Sequence, residues 1–275
     1  MPKNTYYIHS SKRANKQILD SISKPSIYLP ADFGLNHSLT GKGVKIGIID
    51  SGLPDHPDIK NISDSVDVSE TSRDKTDHHG HATMVSGIIG ANNPKSITGI
   101  APNAELLFAK VINQNGDGSF NSLIAGILWC VVKQVDIILL SLGSSTDYPV
   151  LHDAIKKAYD QNICIIAAAG NGEQSDYPAK YPEVLSVSKR RNIPKNGKFS
   201  TFGTTSLEMV LPDKEMYTTY LHGRYTKASG TSLIAAMAAG LASLILERDS
   251  SLRTTPNHVY FSLSCLGYKQ SLKEW

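Results

Sequence analysis

The sequence predicts an α/β fold in three layers: a mostly parallel central sheet with helices on both faces. Three observations carry this. Short runs rich in Val, Ile and Leu, bounded by turn residues, read as strands buried on both faces. They alternate with stretches of helical pattern, the order that right-handed crossovers connect. At 275 residues the chain can bury roughly three quarters of the surface its unfolded form exposes, so a core needs neither disulfides nor metals.

Val44–Asp50 (VKIGIID) is the first buried strand. Leu106–Val111, Val135–Ser141, Ile163–Ala169 and Val184–Val187 read the same way. Helical patterns cover Ser119–Lys133 and Val150–Gln161. Beyond Val187 the chain is loop-rich, and Phe199–Ala228 suggests short antiparallel strands and turns. A long apolar helix follows at Ser232–Glu247. Thr255 and Pro256 then supply an N-cap and an N1 proline for a last helix, Pro256–Cys265. There is no internal repeat and no Pro/Ser linker. The simplest division is an N-terminal extension at 1–38, a candidate regulatory segment, and one domain over 39–275.

Composition removes several classes. Hydrophobic residues are 40% and charged ones 19%, which excludes a highly charged disordered chain. No apolar run reaches about 18 residues, so no membrane span is expected. The net charge of +3, from 28 basic and 25 acidic residues, is too small for a nucleic-acid footprint. The basic stretch Lys189, Arg190, Arg191, Lys195, Lys198 reads as a solvated loop. Cys130, Cys164 and Cys265 are too few and too scattered for a disulfide framework or zinc motif. The first two lie in apolar segments and read as buried thiols. The N-terminus lacks the apolar core of a secretory signal, so a cytoplasmic location is expected.

Three segments carry chemistry. Asp50-Ser51-Gly52 closes the first strand, where open α/β sheets place their ligands. Gly80-His81-Ala82-Thr83 opens a helix, with small residues crowding one imidazole. His78 and His79 lie beside it, but no carboxylate stands at a helical spacing that would make a metal motif. Ser229-Gly230-Thr231-Ser232 enters the longest apolar helix. A serine there is an ordinary cap. It is also where a hydroxyl nucleophile gains from the helix dipole and its N–H groups. Taken singly, each segment is ambiguous. Together, Asp, His and Ser fall in one of the known triad orders.

At this point the chain resembles the subtilisin-like serine proteases. Thr98-Gly99-Ile100-Ala101-Pro102, Ser141-Leu142-Gly143, Ala167-Ala168-Ala169-Gly170-Asn171 and Tyr177-Pro178-Ala179 are similar to further motifs of that family. The resemblance implies a subtilisin-like catalytic domain over 39–275, a serine endopeptidase acting through an acyl-enzyme. Asp50, His81 and Ser232 would form its triad, and Asn171 would join the Ser232 N–H in the oxyanion hole. Ser141, Leu142, Gly143, Ala169 and Gly170 would bind the substrate backbone. Asp176 would lie at the base of the pocket for the residue before the scissile bond and favour Lys or Arg there. The partner would be a protein or peptide substrate, with no nucleic acid and no membrane; the oligomeric state is not legible.

No cofactor is implied for the chemistry. A structural calcium ion is the one group the resemblance admits. Its ligands would be Asp58, Asn93, and the carbonyls of Lys95 and Ile97. Ala82, and Ala235-Ala236-Met237 after the serine, depart from the family pattern. Ala is a strong helix former, so the helix should still begin near Ser232. The short extension resembles that of intracellular members. Tyr28-Leu29-Pro30 would be a cleft-binding segment and Lys12-Arg13 a self-cleavage site. Two other classes compete: a peptide-binding pseudoprotease on this fold, and a nucleotide-binding protein. Gly41-Lys42-Gly43 precedes its strand instead of following it, which defeats the second.

Overall fold

A computed structural model describes residues 7–8, 17–21, 26–27, 33–69, 74–170, 175–189, 208–212 and 214–272. Three short strands come first: β1 (Tyr7–Ile8), β2 (Gln17–Leu19) and β3 (Ser26–Ile27). The domain then runs β4 (Lys45–Asp50), β5 (Ile62–Asp67), α1 (His81–Gly90), β6 (Ile97–Thr98), β7 (Glu105–Lys110) and α2 (Phe120–Val132). It continues with β8 (Ile137–Leu140), β9 (Leu142–Gly143), α3 (Pro149–Asp160), β10 (Cys164–Ala168) and β11 (Val184–Lys189). It closes with β12 (Glu208–Leu211), β13 (Met216–Tyr220), β14 (Arg224–Ala228), α4 (Thr231–Arg248) and α5 (Pro256–Leu272).

Seven strands form one sheet in the order β12-β11-β10-β8-β4-β7-β5, all parallel. Alternation along each strand feeds two cores. Ile46, Ile48, Leu106, Phe108, Ile137, Leu139 and Ile166 point to the layer holding α1, α4 and α5. Ile49, Leu107, Ala109, Ile138, Leu140 and Ile165 point to the layer of α2 and α3. This is why the strands read as continuous apolar runs.

The expected strands and helices are present among the described residues, with ends shifted by a few residues; 199–207 of the expected Phe199–Ala228 region lie outside them. α5 runs past Cys265 to Leu272. β5 has no expected counterpart, because an edge strand spelled ISDSVD carries no apolar run. β13 and β14 form the expected antiparallel pair, while β12 adds to the parallel sheet instead. Cys130 and Cys164 are buried free thiols, and burial pushes the Cys164 thiol up to about 12.

α4 is long and apolar enough to cross a membrane by length and composition, and no other helix among the described residues is. Every residue from Thr231 to Leu246 is buried, so it is the core helix between sheet and surface. Near its end Glu247 accepts the N–H groups of Thr40 and Gly41, both at 2.7 Å. The Gly41-Lys42-Gly43 turn is thus closed by the chain's own carboxylate.

Candidate active site

The chain crosses from one side of β4 to the other between β7 and β8. Ligands of open parallel sheets bind at such a reversal, beyond the strands' C-terminal ends. Asp50 is the last residue of β4 and is buried. Gly52, at φ 137°, lets the chain pass close to the 75–77 backbone, where a Cβ would meet the Lys75 carbonyl at 2.7 Å. His81 is the first residue of α1 and is also buried. Its Nδ1 lies 2.8 Å from each oxygen of Asp50. A carboxylate only accepts, so Nδ1 carries the hydrogen and Nε2 is left as an acceptor. Nε2 is buried, with no hydrogen-bond partner among the described residues.

Ser232 is the second residue of α4. Its Oγ donates to the Ser141 carbonyl at 3.3 Å, and the Ser141 Oγ returns a bond to the Ser232 carbonyl at 3.2 Å. Ser141 follows β8, and Leu140 pairs with Ile49 just before Asp50. Ser232 is therefore tied to the strand end beside Asp50. The carboxylate and imidazole pair directly, and the hydroxyl is bonded to the strand end next to them, all at the sheet reversal.

The other expected site residues divide into two groups. Asn171 lies outside the described residues, as do Lys12-Arg13, Tyr28-Leu29-Pro30 and Arg190–Lys198. Ser141, Leu142, Gly143, Ala169 and Gly170 are all buried beside one another at the ends of β8 and β10. The Asp176 N–H donates to the Ala169 carbonyl at 3.0 Å, and Tyr177 exchanges two backbone bonds with Ser144. Half-buried Asp176 is thus held by backbone bonds next to both the 141–144 and the 169–170 segments.

Sequence reasoning missed what lies on the 142–143 edge. β1 pairs antiparallel with β9, Tyr7 opposite Gly143 and Ile8 opposite Leu142. The segment singled out in the sequence was Tyr28-Leu29-Pro30; an edge pairing of two residues leaves no sequence pattern to find. Also missed were Asp77 and the Ser51 hydroxyl. Asp77 stands three residues before the glycine that caps α1, a spacing that could have flagged it.

The residues expected to ligate calcium are engaged with one another. Both Asp58 oxygens accept hydrogen bonds: Oδ1 from Asn93 Nδ2 at 2.7 Å, Oδ2 from Ser96 Oγ at 2.6 Å and Tyr225 Oη at 2.7 Å. Asn93 turns its nitrogen to Asp58 because its oxygen accepts the Lys95 N–H at 3.1 Å. The Ile97 carbonyl accepts the Asn93 N–H at 3.0 Å. Burial raises the Asp58 carboxyl, but the Ser96, Asn93 and Tyr225 donors outweigh it and hold the group below its ordinary value. Three donors already satisfy the Asp58 carboxylate, and Asn93 turns its nitrogen and not its oxygen toward it, so the donors as arranged do not fit calcium. Among the described residues no group of three or more His, Cys, Asp or Glu could hold a metal. Exposed His78 pairs instead with Asp74, Nε2 to Oδ2 at 2.6 Å.

A buried Asp–His pair and a helix-borne serine stand at parallel-strand ends, the group types that serine-nucleophile hydrolases use. The comparisons give the family. The subtilase family profile (peptidase S8) matches residues 41–261, and the chain belongs to that family of subtilisin-like serine proteases, which are hydrolases. It is 41% identical to the minor extracellular protease Epr of Bacillus subtilis (strain 168), over 77% of this chain and 33% of Epr. It is 37% identical to Subtilisin DY of Bacillus licheniformis, over 77% of this chain and 80% of that one. An intracellular serine protease of Paenibacillus polymyxa is 36% identical, over 74% and 67%. The chain thus spans a third of Epr and most of Subtilisin DY, and its relatives include extracellular and intracellular enzymes.

Proposed function

We propose that this chain is an active serine endopeptidase. The observation that carries the reading is His81, held through Nδ1 by both Asp50 oxygens with Nε2 left as an acceptor. Ser232 is the nucleophile. Its Oγ leaves the long bond to Ser141 and gives its proton to His81 Nε2. His81 takes its proton as Oγ attacks the scissile carbonyl, then passes it to the leaving amine. Water enters by the same base and releases the acyl group. Asp50 keeps the tautomer and stabilises the imidazolium. Asn171 and the Ser232 N–H receive the oxyanion. Losing one such donor costs roughly 10²–10³ in kcat, a magnitude known from a subtilisin and not worked out for this chain. A fluorophosphonate probe should label the protein and fail to label Ser232→Ala. Equal labelling of both, or of neither, favours the peptide-binding pseudoprotease.

Three finer readings accompany this one. Asp176, beside the Ala169 and Ser144 backbone, selects Lys or Arg before the scissile bond. Residues 1–38 regulate access, a reading supported by β1 lying on the 142–143 edge where a substrate strand would pair. The 92–98 loop closes on Asp58 without a cation, supported by the donors already aimed at that carboxylate.

A further inference from the structure

α1 begins at His81, yet nothing in the helix caps it. Its N-cap is Gly80, and the first turn holds no acidic residue. The N–H groups there go elsewhere. Asp77 Oδ1 accepts from His79 N at 3.0 Å and Gly80 N at 2.8 Å. Its Oδ2 accepts from Thr83 N at 2.9 Å and Thr83 Oγ1 at 2.7 Å. The Ala82 N–H donates to Ser51 Oγ at 2.9 Å, and that hydroxyl donates on to Asp77 Oδ1 at 2.9 Å. The Ser51 N–H in turn donates to Asp50 Oδ1 at 2.7 Å. A closed ring results, running Asp50, Ser51, Asp77, the first turn of α1, His81 and back to Asp50. Residues on both sides of His81 are fixed by one buried carboxylate and one buried hydroxyl. The loop bearing Asp77 is itself pinned by buried Lys110, whose Nζ donates to the Asp74 and Thr76 carbonyls at 2.6 and 2.9 Å. Lys110 is the strand partner of Asp50.

We propose that Asp77, through Ser51, is a positioning residue that sets His81 against Asp50 and aims Nε2 at the nucleophile. The proposal rests on the triad reading above. Without the ring, the His81–Asp50 bonds are the side-chain hydrogen bonds left between α1 and the β4 end among the described residues. A misplacement of about 1 Å can cost about 10²-fold in rate.

The test uses the full chain, with rates normalised to active sites titrated by a fluorophosphonate, or to folded protein where His81 is replaced. Asp77→Asn keeps the shape but turns an amide nitrogen toward N–H donors. Ser51→Ala removes the link and leaves the cap, and Ser51→Thr restores the hydroxyl. Asp77→Asn and Ser51→Ala should lower kcat by about 10- to 100-fold with KM within about twofold, and Ser51→Thr should recover most of the loss. In a His81→Ala background, Asp77→Asn should cost nothing further. Unchanged kcat in both variants, a loss confined to KM, or an equal loss on top of His81→Ala overturns the proposal. Should Asp77→Asn not fold, the Ser51→Ala and Ser51→Thr pair decides. Failure of the triad reading looks different: wild type unlabelled, or His81→Ala as active as wild type.

Discussion

Asp58→Asn, made in the inactive Ser232→Ala chain so that self-digestion cannot interfere, tests how the 92–98 loop is held. The Asp58 carboxylate accepts three side-chain bonds, from Asn93, Ser96 and Tyr225. Bonds to a charged acceptor are worth about 1.5–3 kcal/mol each, and neutral ones about 0.5–1.5. The amide can satisfy the same neighbours, with its oxygen toward Asn93 and its nitrogen toward the two hydroxyls, but only as neutral bonds. The expected loss is therefore about 1 kcal/mol per bond, about 3 kcal/mol in total. For a chain of this size that lowers Tm by roughly 6–12 °C. The same melts, run in millimolar calcium and in chelator, should coincide for the Asp58 protein. A cation bound at a hundred times its Kd would add about 2.7 kcal/mol, a rise of at least 5 °C or so. Such a rise in the Asp58 protein, absent from Asp58→Asn, refutes the hydrogen-bonded closure.

Other outcomes follow from the same structure. A chain lacking residues 2–10, and with them the strand on the 142–143 edge, should cleave short peptides at a higher kcat/KM; equal values would remove the regulatory role. Asp176→Ser should reduce the preference for Arg over Leu before the scissile bond by about tenfold or more in kcat/KM, and an unchanged ratio counts against a basic pocket. Gly80→Ala should destabilise by about 1–3 kcal/mol in thermal melts, since φ is 89° and the added Cβ would meet Tyr220 Cε2 at 2.7 Å. Burial lowers the His56 imidazole, whose Nδ1 accepts the Asp58 N–H while Nε2 faces the Arg224 carbonyl. The fold then binds fewer protons than the unfolded chain below pH 6.5, so Tm should fall as pH drops from about 6.5 through the lowered value. A His56→Gln chain with the same acid slope would assign that slope to another group.

The residues determined a good deal unaided. Runs such as VKIGIID announce a two-sided parallel sheet because burial on both faces leaves no polar alternation to disguise them. Gly-His-Ala-Thr and Gly-Thr-Ser were legible as helix starts, which is where the structure places His81 and Ser232. What the chain could not disclose depends on groups distant in sequence. Edge strand β5 is half polar, since it ends the sheet beside β7 and is only half-buried. β1 reaches the 142–143 edge by backbone bonds, which any side chains would permit. Asp58 reads as a metal ligand in the sequence, while in the fold Ser96 and Tyr225, from two other segments, donate to it. Asp77 looks like a turn residue until the first turn of α1 closes over it. Hydrophobic periodicity and local motifs are written in order along the chain. Hydrogen-bond satisfaction of a buried carboxylate is decided only when folding brings its donors within 3 Å or so.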